Sequence, residues 1–226
     1  MADLLLEAHD ATKSYGDLVA LAPIDLNVKR GELLALVGHN GSGKSTFLRL
    51  VAGTLELTEG YIEIDGALAG TSTARAATSF IPDDPVLYDD LSVREHLSYI
   101  SALHGVDASA EEVDAIIDRF GLLHRADDLP SRFSRGLRQK TSLALGIARP
   151  FQLLLVDEPF VGLDATGKAS LIEVLDEIHS AGQTIVVATH DPNFVEQATR
   201  CVALRDGEIV HDGKATPNDV LRLVGA

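Results

Sequence analysis

Apolar and polar positions change period several times along this chain, and each change predicts an element. Three strand-like runs, 4–13, 19–28 and 32–37, are broken by Tyr15-Gly16-Asp17 and Lys29-Arg30-Gly31 and read as antiparallel β-structure. The last run, Glu32 to Val37, is almost wholly apolar between turn residues, which predicts a strand of a parallel sheet covered on both faces. Beyond a glycine-rich stretch at 38–46, Phe47, Leu48, Leu50 and Val51 recur at helical spacing until Gly53. Gly60 to Gly66 alternates, with Ile62 and Ile64 on one face, and predicts an edge strand ending in an Asp-Gly turn. Residues 67–79 are small and polar and predict nothing definite. Ser79 to Pro85 reads as a strand end entering a rigid loop, because each proline restricts the residue before it.

The period then becomes helical. Ser92-Val-Arg-Glu95 and Ser109-Ala-Glu-Glu112 are capping boxes. Val93, Leu97, Ile100 and Leu103 follow the first; Val113, Ile116, Ile117 and Phe120 follow the second, stopped at Gly121. A third helix is expected to start after Ser134 and run to Arg149, ended by Pro150. Then come an apolar strand, Leu153 to Glu158, and a helix capped by Asp164 with Leu171, Val174, Leu175 and Ile178 on one face. A buried strand, Thr184 to Thr189, two short strands at 202–204 and 208–210, and a final helix near 217–224 complete the pattern. Strand and helix alternate, so the expected class is α/β with a mostly parallel sheet. The block at 86–150 reads as a helical insertion between two halves of a core. No internal repeat, long linker or low-complexity segment is visible.

Composition narrows the partners. Nineteen basic and 34 acidic residues give a net charge of −15, which argues against a nucleic-acid partner and against unaided binding to an anionic lipid surface. One cysteine, Cys201, excludes an internal disulfide and sits in an apolar run as a small hydrophobe. The opening Met1 to Glu7 lacks a positive n-region and is not expected to act as a signal peptide. No apolar run approaches the roughly 20 residues that span a bilayer. Work at a membrane would therefore need another chain.

The chemistry concentrates at 38–46, which fits G-x-x-x-x-G-K-[ST] between a predicted strand and a predicted helix. Glycines let backbone N–H groups turn around an anion, and the helix N-terminus adds partial positive charge. Lys44 is the candidate for β- and γ-phosphates, and Ser45 for Mg²⁺. Asp157, ending a buried strand, is the candidate second metal ligand, and Glu158 the candidate base for an attacking water. His190 ends another core strand and can reach the same place. Tyr15 stands before a turn ahead of the loop, where an aromatic ring could stack on a base or simply pack the turn. Ser134 offers a hydroxyl and free N–H groups at a helix start, suited to an anion, although the residues alone favour a plain N-cap.

Together these stretches resemble the nucleotide-binding subunit of ABC transporters, over nearly the whole chain from Tyr15 to Gly213. Tyr15 matches the family's aromatic A-loop and 38–46 its Walker A. Phe133-Ser-Arg-Gly-Leu137 lies where the signature LSGGQ lies. Leu153 to Glu158 matches Walker B with the catalytic glutamate, Gly162-Leu-Asp164 the D-loop, and His190 the switch histidine. The resemblance implies a P-loop NTPase (RecA-like) core with an antiparallel β subdomain and an inserted α-helical subdomain. The core would occupy about 1–85 and 151–226, and the helical part about 86–150. It implies a Mg²⁺-dependent ATPase with Glu158 and His190 catalytic and Ser45, Asp157 and Asp83 toward the metal. Tyr15, Gly38, Asn40, Gly41, Ser42, Gly43, Lys44, Ser45 and Thr46 would hold the nucleotide. Ser134 and Gly136 would contact the nucleotide of a second, stacked subunit, which is expected to be an identical copy. A separate transmembrane permease is the implied partner, and the cytoplasmic face of the cell membrane the implied location.

Two departures from the family pattern stand out. The signature reads FSRGL, with Arg135 for the first glycine and Leu137 for the glutamine. This variant resembles the ABC-2 type subfamily, which includes many exporters. The Q-loop position carries Asp83, shorter than glutamine and anionic, though still able to offer oxygen to Mg²⁺ or its water. A soluble ABC ATPase that remodels a protein or ribonucleoprotein complex is the alternative reading, disfavoured by the single cassette and the acidic balance. A nucleotide-sensing adaptor with little turnover is disfavoured by the presence of Glu158 and His190.

Overall fold

A computed structural model describes residues 3–224; Met1 and Ala2 of the opening segment lie outside the described residues. Two sheets organise the chain. The first is antiparallel, in the order β2-β1-β4-β5: β1 Leu4–Tyr15, β2 Leu18–Lys29, β4 Glu59–Ile64 and β5 Ala67–Leu68. The second has six strands in the order β10-β9-β3-β8-β7-β6: β3 Leu33–Val37, β6 Thr78–Ile81, β7 Leu153–Asp157, β8 Thr184–Thr189, β9 Arg200–Arg205 and β10 Glu208–Gly213. All its pairings are parallel except β9 with β10.

Of the two readings of the run at 32–37, the parallel one holds: it does not continue the antiparallel structure before it but lies, as β3, between β8 and β9 in the parallel sheet. Its unbroken apolar character needs cover on both faces, which that sheet supplies. The strand at 60–66 is not an edge strand, since β4 is flanked by β1 and by the two-residue β5.

Every residue of β3, β7 and β8 is buried. Successive side chains point to opposite faces, and two apolar layers result. Leu33, Ala35, Val37, Leu154, Val156, Ile185 and Val187 join one layer. It is filled from α3 Val93–Leu103, α4 Ala110–Arg119, α5 Arg135–Ile147, α6 Ala165–Ser180 and α7 Pro192–Gln197. Leu34, Leu36, Leu153, Leu155, Val186 and Ala188 join the other. There they meet Phe47 and Leu48 of α1 Lys44–Val51, which is covered in turn by Leu5, Leu6, Ala8 and Ile62 of the antiparallel sheet. Helix α1 is thus clamped between two sheets, so the loop that opens it has a fixed base.

The helix signals are realised. Ser92 and Ser109 accept from the N–H groups of Glu95 and Glu112, and those glutamates accept from the serine N–H groups. Each cap contributes about 1 kcal/mol. Gly53, Gly121 and Gly182 follow their helices at positive φ, where other residues strain. The third helix ends at Ile147, two residues before Arg149. The silent stretch 67–79 holds β5 and α2 Ser72–Ala77, capped by Thr71. Helix α8, Pro217–Val224, buries Val220. Cys201 is buried within β9, and burial pushes its thiol up to about 11, consistent with an inert hydrophobe. Among the described residues no helix is long and apolar enough to cross a membrane.

Candidate nucleotide-binding and catalytic site

The parallel strands deliver the predicted residues to one edge. Val37 pairs with Thr189, Ala188 with Asp157, and Val156 with Ile81, so β3, β8, β7 and β6 end at a common level. The next residues are Gly38, His190, Glu158 and Pro82-Asp83. Ligands of open α/β sheets bind at these carboxyl ends.

The glycine loop lies between β3 and α1, and Asn40 to Thr46 line a cleft together with Ala20, Asp83 and Glu158. Gly43, at φ +105°, is the N-cap of α1 and has no side chain to cap it, so the first N–H groups of the helix remain available. A Cβ on Gly38 would stand 2.4 Å from the Leu204 carbonyl oxygen and from Ser42 Oγ, so only glycine fits. Lys44 is buried, and its Nζ donates to the carbonyls of Gly38 at 2.8 Å and His39 at 3.2 Å. The same Nζ lies 3.2 Å from Glu158 Oε1, close in charge but not aligned as a hydrogen bond.

Glu158 has φ +46°, an uncommon backbone for a residue with a side chain. Its N–H donates to Ala188 at 2.8 Å, extending the pairing of β7 with β8. Its Oε2 accepts from His190 Nδ1 at 2.9 Å. Strain of this kind costs on the order of 1–3 kcal/mol and clusters at functional sites. Here it turns the carboxylate between an ammonium and an imidazole.

Asp157 is almost wholly buried. Burial pushes its carboxyl above the ordinary 3.8. The Ser45 hydroxyl works against that rise, the charges of Glu158 and Asp83 add to it, and Lys44 opposes it. Asp157 Oδ1, Glu158 Oε1 and Ser42 Oγ are buried without hydrogen-bond partners. Unpartnered oxygen beside a hydroxyl is the donor chemistry a hard cation takes, and Ser45 with Asp157 fits Mg²⁺. Among the described residues no three His, Cys, Asp or Glu side chains could hold a metal by themselves. A cation here would complete its shell with phosphate oxygens and water, as Mg²⁺ commonly does.

A stability test follows. Between 3.8 and its raised folded value, the folded Asp157 keeps a proton that the unfolded chain has lost. Its contribution to stability therefore falls as pH rises through that window and is a net cost at neutral pH. Asp157→Asn is expected to raise the melting temperature in chelator at pH 7, by about 2–4 °C per kcal/mol relieved. It is also expected to remove any stabilisation by Mg²⁺-nucleotide. A lower melting temperature in chelator would count against this account.

Of the other predicted residues, Tyr15, Ser134 and Gly136 do not line this cleft and Asp83 does. Tyr15 ends β1 with its ring exposed, and the Lys13 ammonium is 5.1 Å from the ring centroid. It does not line the cleft, although its cross-strand partner Leu18 is two residues from Ala20, which does. Ser134 caps α5 and accepts from Leu137 N–H at 3.4 Å. Gly136 backs onto the Gly162 carbonyl, 3.3 Å from where a Cβ would sit. Neither lines the glycine-loop cleft. Asp164 caps α6 by accepting from Gly167 N–H at 2.7 Å. Asp83 reaches the cleft, but its Oδ1 accepts from Arg135 Nη2 at 2.8 Å.

Sequence reading missed one pair. Lys168 Nζ donates to Asp191 Oδ2 at 2.6 Å, and both line a second cleft with Glu158 and His190. Burial pushes the Asp191 carboxyl up, but the Lys168 hydrogen bond and charge and the Asn193 amide outweigh it and hold it below its ordinary value. Asp191 before Pro192 is a helix-start signal, and it announces the α7 that the sequence reading lacked.

A glycine loop feeding a helix, with carboxylates at the end of a neighbouring parallel strand, defines a P-loop nucleotide-binding ATPase domain. The chain belongs to the ABC transporter family, which it matches over residues 21–161. It is 33% identical to the macrolide export ATP-binding/permease protein MacB 1 of Aeromonas hydrophila, over 96% of this chain and 36% of that protein. The chain therefore spans about a third of that relative's length. It is 32% identical to the SkfA peptide export ATP-binding protein SkfE of Bacillus subtilis, over 92% of this chain and 88% of that one. Among solved structures it resembles the ATP-binding cassette MJ0796, a dimer in a post-hydrolysis state bound to ADP and Pi. The TM-score is 0.86 at 26% identity, covering 93% of this chain and 98% of that chain.

Proposed function

We propose that this chain hydrolyses ATP to drive export through a separate transmembrane permease, and that it works as two stacked copies on the cytoplasmic face of a membrane. The observation that carries the reading is that Ser134 and Gly136 do not line the glycine-loop cleft of their own chain. The signature serine is exposed at the head of α5 and is not part of the phosphate cleft of its own chain. A second copy, turned head to tail, would bring its Ser134 and Gly136 to the γ-phosphate held by the first. MJ0796 was solved as a dimer, and the names of MacB 1 and SkfE are those of export proteins.

In this reading the loop from Gly38 to Thr46 and Lys44 hold the phosphates, and Tyr15 faces the base. Ser45 and Asp157 would hold Mg²⁺, which neutralises charge on the β- and γ-phosphates. Glu158 takes a proton from the attacking water, and His190 fixes Glu158 Oε2. The two sheets with α1, about 1–85 and 151–226, form the core. The helical block, about 86–150, carries the signature.

The test is extraction of membranes carrying the tagged chain in mild detergent, followed by identification of co-purifying proteins. A polytopic membrane protein in stoichiometric amount is expected. If only soluble partners appear and the chain stays out of the membrane fraction, the export reading falls and the ATPase remains.

A further inference from the structure

The two departures from the family pattern touch each other. Arg135, the first residue of α5, donates through Nη2 to Asp83 Oδ1 at 2.8 Å, across 52 residues of sequence. One turn further along the same face, Arg138 Nη2 donates to the Pro85 carbonyl at 3.2 Å. Helix α5 therefore grips the segment that follows β6 at two points. Further along that segment, the Tyr88 N–H donates to His96 Nε2 of α3 at 2.8 Å. The loop leaving the core sheet is thus tied to the helical block at three places.

Only one of these ties engages a charge that also faces the phosphate cleft. Asp83 lines it with Lys44, Ser45 and Glu158, and its negative charge reaches buried Asp157. A neutral side chain at this position would leave the edge with Asp157 and Glu158 facing Lys44. Asp83 adds a third carboxylate, and Arg135 supplies a cation against it. Arg135 lies at the boundary with the second cleft, beside Gly162, whose added Cβ would come within 3.5 Å of Arg135 Cδ. The pair is more than two-fifths exposed on both sides, so water reaches it and its geometry can exchange.

We propose that Arg135 is a positioning residue that competes with the nucleotide's divalent cation for the Asp83 carboxylate. The inference rests on the nucleotide reading above. Arg135 holds Asp83 toward α5, and binding of the cation with nucleotide draws Asp83 inward and frees the guanidinium. The loop after β6 is released from α5 at that point while Arg138 and His96 keep their holds. Loading of the core site is thereby passed to the helical block through one ion pair.

The test is equilibrium binding of the non-hydrolysable analogue AMP-PNP with Mg²⁺ and with EDTA, which reads the advantage conferred by the cation without turnover. Arg135→Gln is expected to increase that advantage roughly two- to fivefold, the range of an exposed ion pair. Arg135→Lys is expected to fall between, because it keeps charge without the fork. In an Asp83→Asn background, Arg135→Gln is expected to change nothing. An unchanged ratio in Arg135→Gln would overturn the proposal. So would an equal increase in the Asp83→Asn background, since that would mean long-range charge rather than competition for one carboxylate. If the unaltered chain binds no AMP-PNP, the nucleotide reading falls, and this inference with it; binding by the unaltered chain isolates any failure to the Arg135–Asp83 pair.

Discussion

Glu158→Gln is expected to lower ATP turnover at least 100-fold while leaving nucleotide binding in place. Glu158 sits at φ +46°, held by its N–H bond to Ala188, and a glutamine occupies the same conformation at the same cost. The side chain keeps its length, so the His190 contact at Oε2 has a counterpart in the amide oxygen. What disappears is the negative charge and the ability to take a proton. A positioned general base contributes about 10²–10⁴ in rate. The neutral amide also removes repulsion between Glu158 and a bound polyphosphate. Nucleotide that cannot be cleaved is then expected to hold two copies together. The checks are a phosphate-release assay and light scattering on the variant with ATP and Mg²⁺. Normal turnover, together with a monomer in the presence of ATP, would remove Glu158 from the role of base.

Much of this site was legible because its signals are local. The loop at 38–46 is contiguous, and Asp157 and Glu158 are adjacent at the end of an apolar run. The capping boxes at Ser92 and Ser109 announce helices by chemistry confined to four residues. The failures are equally physical. Helix α2 carries no apolar stripe: only Ala74 of its six residues is buried, so periodicity could not find it. The strand at 59–64 looked like an edge because the two residues that pair with it beyond, Ala67 and Leu68, are too few to show alternation. The run at 32–37 is read correctly as a buried parallel strand from its composition; only its grouping with its antiparallel neighbours in sequence misleads. Its true partners, 184–189 and 200–205, are far along the chain. Asp83 is a metal candidate from its position and its anionic oxygen; what the sequence does not carry is its contact with Arg135, which depends on how α5 docks against the end of β6.

Lys44→Ala is expected to weaken ATP binding about 10- to 150-fold with the fold retained. Lys44 is buried at the head of α1, and its ammonium already meets two carbonyls and a carboxylate. Hydrogen bonds to charged groups contribute about 1.5–3 kcal/mol each, and 1.4 kcal/mol is tenfold in affinity. Loss of one ammonium contact to phosphate therefore predicts the stated range. Stability moves less, because Glu158 keeps its bond to His190 and α1 keeps its packing through Phe47 and Leu48. Removing one member of a fully buried pair costs about 3–5 kcal/mol; a carboxylate that retains an imidazole partner stays below that. Lys44→Arg is not expected to rescue binding, since a guanidinium cannot take the place of a compact ammonium 2.8 Å from the Gly38 carbonyl without moving the loop. Titration with ATP, beside a thermal melt of each variant, separates the two effects. An alanine variant that melts normally and binds ATP within twofold of the unaltered chain would mean that the backbone amides of the glycine loop, rather than Lys44, hold the phosphates.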